Sequence, residues 1–328
     1  MSLFIPPVLV SIIALTAVWW WAGTGAFFLA SMLAILEITL SFDNAVVNAK
    51  ILEEMSPIWQ RRFLTWGILV SVFGTRLILP VLIVSAVAFV SPAIITTLAF
   101  SDPAAYSQLL SGADTAIKAF GGAFLLMVSL KFFFNVGKKV HWFALIERHL
   151  VRWGRVEAIE IALALCVLLA VSYLGHDDPS IILRTGLIGI ILFTLTEGIA
   201  HGLNVESTSA LRPGLLLFVY LNVLDAAFSL DGVVGAFALT SALPIIVAGL
   251  GIGAYFVRSM TVYLVRTKTL AGLPYLEHGA HWAVFGLALA MLLGLIIHIP
   301  QVITATIGLG FISLAYLSSR RAHVEQAF

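Results

Sequence analysis

The sequence predicts an all-α, polytopic membrane protein with about ten transmembrane helices. Of the 328 residues, 61% are hydrophobic and only 11% are charged, and the mean hydropathy is +1.06. Apolar runs of about 20 residues, long enough to cross a bilayer as a helix, recur along the chain. A net charge of +1 provides no basic surface for nucleic acid. The single cysteine, Cys166, excludes an intramolecular disulfide framework.

The apolar runs define ten predicted spans. The first has no Lys or Arg in residues 1–20 and ends in three tryptophans, so we interpret it as a retained helix rather than a signal peptide. In chain order the spans cover about 3–22, 26–49, 64–90, 115–136, 157–174, 182–200, 214–240, 243–265, 279–299 and 302–318.

Basic residues lie in alternate loops between these spans. The segments after spans 2, 4, 6 and 8 and the C-terminal tail contain Lys or Arg, whereas 91–113, 175–181, 241–242 and 300–301 contain none. Because basic loops stay in the cytoplasm, this alternation supports the count and predicts cytoplasmic termini. We expect a multi-pass protein of the plasma (inner) membrane.

Two segments of the chain resemble each other. Residues 37–44, EITLSFDN, align with residues 225–232, DAAFSLDG, and in each copy an arginine follows nine residues after a glycine in the next span. An odd number of spans separates the copies, so they have opposite orientation, which is typical of secondary transporters. The predicted organisation is an N-terminal helix (1–25), a first three-helix repeat (26–136), a basic loop with two linking helices (137–213), a second three-helix repeat (214–300), and a last helix with its tail (301–328).

Polar side chains form a stripe in each copy, inside apolar spans. Spacings of three and four residues place them on one helix face, and intramembrane ionisable groups are by default functional candidates. Carboxylate, carboxamide and hydroxyl oxygens suit Mn²⁺, Mg²⁺ or Ca²⁺ better than copper or zinc. The predicted metal ligands are Glu37, Ser41, Asp43, Asn44, Asp225, Ser229 and Asp231, with Asp43 opposite Asp231 at the centre.

Arg76 and Arg258 are predicted to balance charge or to gate the site. Four acids and two arginines leave a charge of −2, which one divalent cation neutralises. An alternative is that the arginines pair with the acids only to lock the helices together. Candidates for a vestibule or proton relay are Asn48, Asn222 and Glu197, the last followed by His201 and Glu206.

With these residues in view, the chain resembles the TerC-like integral membrane proteins of the wider LysE-type transporter superfamily. The resemblance rests on EITLSFDNAVV (37–47), DAAFSLDGVV (225–234), the arginine in the span after each, and GGAFLLMVSLK (121–131). The continuation from residue 48 to 76 resembles a branch of uncharacterised membrane proteins. The resemblance implies manganese efflux. Its pattern has Asn after both aspartates, whereas this chain has Gly232 in the second copy, which removes one oxygen ligand.

The sequence therefore predicts a secondary transporter, not an enzyme, that exports a hard divalent cation, manganese first, with proton exchange as an option. Its partners would be the metal ion, protons and the lipid bilayer, without a permanently bound cofactor. One alternative is an intramembrane aspartyl-type hydrolase, although the aspartates here stand in FDN and LDG rather than YD and GxGD contexts. Another is a non-transporting membrane scaffold.

Overall fold

The computed structural model describes residues 2–202 and 211–326. Helix makes up 86% of the structure, and no strand occurs among the described residues. Within those ranges, seven helices are long and apolar enough to cross a membrane, and the apolar helices Pro92–Ser101 and Ile159–Leu174 are shorter. The prediction of a polytopic helical membrane protein is thus confirmed, while the count of ten spans stays a prediction.

The helices are numbered here in chain order. A 3-10 turn, Ser2–Phe4, precedes the first, and a π-helix, Val70–Ile78, lies between α3 and α4. The α-helices of the described part are α1 (Ile5–Leu40), α2 (Phe42–Glu53), α3 (Pro57–Leu69), α4 (Leu79–Ala88), α5 (Pro92–Ser101), α6 (Pro103–Gly112), α7 (Asp114–Phe133), α8 (Ala144–Trp153), α9 (Ile159–Leu174), α10 (Pro179–Gly202), α11 (Leu211–Leu239), α12 (Leu243–Arg266), α13 (Thr269–Gly272), α14 (Leu276–Leu293) and α15 (Gln301–Gln326).

The first two predicted spans form one helical run with two interruptions. Gly23 has φ 82° and ψ −174°, a conformation that glycine adopts easily because it lacks Cβ. A second distortion occurs at Ser41, with φ −99° and ψ 16°, where α1 ends and α2 begins. The predicted span 26–49 is therefore not one regular helix. Glu37 lies in the last turn of α1, and Asp43 lies in the first turn of α2.

The third predicted span, 64–90, begins too late. The helical run starts at Pro57, since proline fits the first helical turn, where its missing N–H is not needed. The segment 91–113, predicted as a loop, instead contains α5 and α6. Each begins with proline after a capping residue: Ser91 Oγ accepts from the Ile94 N–H, and Asp102 Oδ1 accepts from the Ala105 N–H.

The core forms around α7, the most buried of the seven candidate spans, with 78% of its most apolar window buried. It packs against α10, α14 and α9. Gly121 and Gly122 allow the close approach to α14, since a Cβ there would lie 2.7 Å from Met291 and 2.8 Å from Leu292. α1 packs along α12, and α11 continues without interruption from Leu211 to Leu239. These helices position the polar groups described next.

Candidate intramembrane cation site

Asp43 and Asp231 line the same small cavity, which lies between α1, α2, α11, α14 and α15. Its volume is about 20 Å³, enough for one water molecule or one ion without its hydration shell. The other residues around it are Glu37, Leu40, Ser41, Phe228, Gly232, Ala283, Leu287, Thr304 and Gly308.

The carboxyl groups of Asp43 and Asp231 are the two predicted acids that no arginine holds in the described part of the chain. Asp43 is 3% exposed, and its Oδ1 accepts a hydrogen bond from the Asn44 N–H at 3.0 Å. Asp231 is half-buried. Among the described residues neither forms an ion pair, and the Asp231 carboxylate accepts no hydrogen bond there. Two carboxyl groups without an ion-pair partner therefore face an ion-sized space.

The other two acids are paired with the buried arginines. Arg76 donates to Glu37 Oε1, and both side chains are at most 3% exposed. Arg258 donates to Asp225 Oδ2 at 3.1 Å and to Asn222 Oδ1 at 3.2 Å. Each acid pairs with the arginine of the next helical run in its own predicted repeat. Pairing offsets part of the cost of burying these charges.

Ser71 joins the two ion pairs into one network. Its Oγ donates to Asp225 Oδ2 at 2.7 Å and accepts from Arg76 at 2.7 Å, which uses the one donor and one of the two acceptor sites of a hydroxyl. Arg76 also donates to the Ser71 carbonyl at 2.8 Å. Ser71 and Arg76 both lie in the π-helix Val70–Ile78, a helix type that often marks functional sites. The network connects helices of both predicted repeats.

Three glycines leave the space that these buried charges occupy. A Cβ on Gly253 would lie 2.4 Å from Glu37 Cβ, and one on Gly67 would lie 2.3 Å from an Arg258 nitrogen. A Cβ on Gly232 would lie 3.0 Å from Glu37 Oε2. The sequence suggested that Gly232 merely removes an oxygen ligand. In the structure, a side chain at position 232 would press against the Glu37 carboxylate.

Two predicted ligands, Asn44 and Ser229, and the predicted vestibule residue Asn48 have buried side-chain oxygens without a partner in the part of the chain that the structure describes. Asn44 Oδ1, Asn48 Oδ1 and Ser229 Oγ make no hydrogen bond within the described residues, and the three residues are 3%, 1% and 3% exposed. Buried polar atoms are normally satisfied, so these three oxygens require an explanation, and none of the three residues lines the small cavity. Oxygens of this kind are ligands for hard cations.

The predicted acids do not all converge on one point. Asp225 does not line the cavity, because its Oδ2 is held by Arg258 and Ser71. Among the described residues, no group of three or more His, Cys, Asp or Glu side chains could hold a metal ion. A cation in the cavity would therefore meet Asp43, Asp231, the arginine-paired Glu37 and neutral oxygens rather than four free carboxylates.

Sequence reasoning missed the contributions of Ser71, Thr304 and Gly308. Thr304 and Gly308 come from α15, which was placed outside both repeats. The nearest sequence signal for the π-helix is Pro80, which has no N–H to donate to carbonyls one turn upstream and so disturbs the helix register there. The sequence feature that points to α15 is Thr304, a polar residue inside an apolar span.

Two larger cavities lie on either side. The cavity on the side whose loops lack basic residues is called the outer vestibule, because that side is predicted to face away from the cytoplasm, and the one on the basic side is called the inner vestibule. The outer vestibule has a volume of about 520 Å³ and shares Asp231 and Thr304 with the small cavity. Its other polar lining residues are Ser111, Asp114, Lys118 and His298.

The inner vestibule, on the basic side, has a volume of about 540 Å³ and shares no described residue with the small cavity. Glu197 lines it and is held by Lys131 at 3.0 Å, whereas Asn48 and Asn222 do not line it. Glu206 and the side chain of His201 lie outside the described residues.

The comparisons with known proteins give one family and no function. The chain matches the family described as "Protein of unknown function (DUF475)" over residues 42–325. This range includes both cavity aspartates and both arginines, while Glu37 precedes it. No curated protein and no solved structure matches the chain. Because the match covers most of the sequence, the protein belongs to the DUF475 family.

Proposed function

We propose that this protein is a secondary transporter that exports a hard divalent cation, manganese first, through the cavity between Asp43 and Asp231. One observation carries the proposal: within the membrane, two unpaired aspartates face an ion-sized cavity while the other two acids are neutralised by arginines. The remaining charge of −2 equals that needed to hold one divalent cation. The resemblance to TerC-like proteins supplies the choice of manganese and the direction of export.

The lining of the cavity supports a hard ion. The polar side chains of the lining supply only oxygen atoms, and no His or Cys lines the cavity among the described residues; these side chains are Glu37, Ser41, Asp43, Asp231 and Thr304. Oxygen ligands select Mn²⁺, Mg²⁺ or Ca²⁺ over copper and zinc. Asn44 and Ser229, whose buried oxygens have no partner among the described residues and which directly follow the cavity residues Asp43 and Phe228, are the next candidates for ligands. A carboxylate that releases the metal can take a proton, so the same aspartates support proton exchange.

The three cavities suggest a route for the ion. Asp231 belongs to both the small cavity and the outer vestibule, so it would pass the ion outward. On the inner side, Val47 lines the inner vestibule, one helical turn from Asp43. Movement of this turn of α2 would open the inner path, as when one repeat rocks against the other.

Metal flux in proteoliposomes tests the proposal. Purified protein is reconstituted, and uptake of Mn²⁺, Ca²⁺, Mg²⁺ and Zn²⁺ is measured at two pH gradients. We expect Mn²⁺ flux that depends on the proton gradient and that falls about tenfold or more in Asp43→Asn and in Asp231→Asn. The control is Asp178→Asn, which removes an exposed loop carboxylate. Equal flux in wild type and both site variants would refute the proposal.

A hydrolase with an aspartate dyad is the competing function, because the same cavity brings two aspartates together. The volume of about 20 Å³ admits a water molecule but no peptide segment. Cleavage of a reporter helix that either aspartate variant abolishes would favour the hydrolase. A scaffold without transport predicts that Asp43→Asn changes stability and that wild type has no ion flux.

A further inference from the structure

Helix α8 (Ala144–Trp153) takes no part in the proposed transport and has a surface of its own. Its inward face is fixed by Glu147, which is fully buried. Glu147 Oε2 contacts His278 Nδ1 at 2.8 Å and Lys138 Nζ at 3.0 Å, and its Oε1 accepts from Trp282 Nε1 at 3.1 Å. These bonds attach α8 firmly to the first turns of α14.

The attachment sets the depth of α8. Trp282 lies six residues inside α14, which begins at Leu276, or about 9 Å along the helix axis. Because Glu147 reaches Trp282 directly, α8 lies beside the end of a membrane-spanning helix rather than beyond it. Trp142 and Phe143, just before α8, also pack on Phe311 and Trp282. A layer of tryptophan and phenylalanine at helix ends is typical of the membrane–water interface.

The outward faces of α8 combine apolar and basic side chains. Leu145 is 85% exposed, Ile146 50% and Trp153 58%. At 100° per residue, Leu145 lies opposite Glu147, and Ile146 and Trp153 lie on one flank. Exposed Arg148 and Arg152 lie on the other flank. Apolar side chains next to arginines on one helix are the pattern of a helix that lies in a membrane surface.

The charge of this face is positive. Arg155 follows the helix and is exposed, and Glu157 is the nearest exposed acid along the sequence. Lys138 adds no free charge, because it is paired with Glu147. We propose that α8 is an interfacial helix that inserts Leu145, Ile146 and Trp153 among the lipids and binds anionic phospholipid headgroups through Arg148 and Arg152. Anionic lipids attract such arginines at short range.

Depth and lipid preference are measured on the full chain. In a Cys166→Ala background, a fluorophore at Leu145→Cys reports quenching by lipids that carry a shallow spin label. The protein is reconstituted in phosphatidylcholine vesicles that contain about 30% phosphatidylglycerol. We expect strong quenching at position 145 and weak quenching at Glu157→Cys. Spin-labelled phosphatidylglycerol should quench about threefold more than spin-labelled phosphatidylcholine.

Matched variants separate charge from folding. Arg148→Gln/Arg152→Gln should abolish the preference for phosphatidylglycerol, and Arg148→Lys/Arg152→Lys should keep it. Arg266→Gln/Lys268→Gln, which removes two exposed charges at the end of α12, should leave it unchanged. The proposal fails if position 145 is not quenched by lipid, if the preference survives the glutamine pair, or if energy transfer between labelled chains shows that a second copy covers α8.

Discussion

The two acids of each predicted repeat lie six positions apart, yet their surroundings differ completely. Glu37 and Asp225 are held by buried arginines, and Ser71 ties the two pairs together. Asp43 and Asp231 form no ion pair among the described residues and face one small cavity. Glu37 and Asp225 therefore fit a structural role, whereas Asp43 and Asp231 fit a site for an exchangeable cation.

Because of this difference, substitutions at the paired and the unpaired carboxylates should have different effects. A carboxylate paired with a buried arginine loses stability when its partner is removed, because an unpaired charge stays inside. Replacing a carboxylate that has no ion-pair partner by a neutral side chain removes an uncompensated buried charge. The fold gains stability, and only the ligand for a cation is lost. Variants that break an arginine–carboxylate pair should therefore lower stability. Variants of Asp43 and Asp231 should instead lower metal binding without lowering stability.

The largest effect is expected for Arg258→Met. It would leave Asp225 buried and unpaired, and Asn222 and the Phe63 carbonyl would lose a donor. We expect a loss of about 3–5 kcal/mol in the free energy of unfolding, measured by thermal unfolding in detergent. The double variant Asp225→Leu/Arg258→Met should recover most of that loss. A single variant as stable as wild type would contradict the structural role assigned to Arg258.

Glu147→Gln extends the comparison to a paired acid at the membrane edge. The hydrogen bond and charge of His278 and the charge of Lys138 outweigh burial and lower the pKa of Glu147 to about 2. A depressed acid pKa stabilises the fold above the ordinary value of 4.5, and this contribution disappears as the pH falls through the folded pKa of about 2.

Glu147→Gln should therefore cost about 2–3 kcal/mol at pH 7. The gap between the melting temperatures of wild type and variant should narrow between pH 4.5 and pH 3. Exposed Glu157→Gln serves as the control. A gap that stays constant or widens in acid would exclude the assigned pairing.

A smaller effect is expected for Gly232→Ala, at a position that contacts the arginine-paired Glu37 and also lines the cavity. The new Cβ would lie 3.0 Å from Glu37 Oε2, so the carboxylate must move, at a cost of about 1–2 kcal/mol. We expect a modest loss of stability and weaker metal binding. Gly310→Ala is the matched control, because an added Cβ there meets nothing within 4 Å. Equal effects of the two substitutions would count against the contact between Gly232 and Glu37.

The buried charged residues could be identified from the sequence more readily than their arrangement. The alignment of residues 37–44 with 225–232 picked out all four acids and both arginines, because charges inside apolar runs stand out. Asp43 and Asp231 were placed opposite each other, and they line one cavity. The equivalence of the ion pairs Glu37–Arg76 and Asp225–Arg258 agrees with the repeat, which stays a prediction.

The arrangement depends on contacts distant in sequence. The π-helix places Ser71 against Asp225, 154 residues away, and no local pattern specifies that bond. The distortion at Ser41 also has no signal in the sequence, since serine fits an ordinary helix. α15 reaches the cavity with Thr304 through packing on α14. The division into paired and unpaired acids follows from these tertiary contacts.

Equilibrium binding of Mn²⁺ to the purified protein tests the central claim most directly. Electron paramagnetic resonance of free Mn²⁺ gives the number of ions bound per chain at pH 7. We expect one ion in wild type and in Asp178→Asn, and none at the same concentration in Asp43→Asn or Asp231→Asn, with both variants folded. Undiminished binding in the two aspartate variants, or no binding to the folded wild type, would contradict the account.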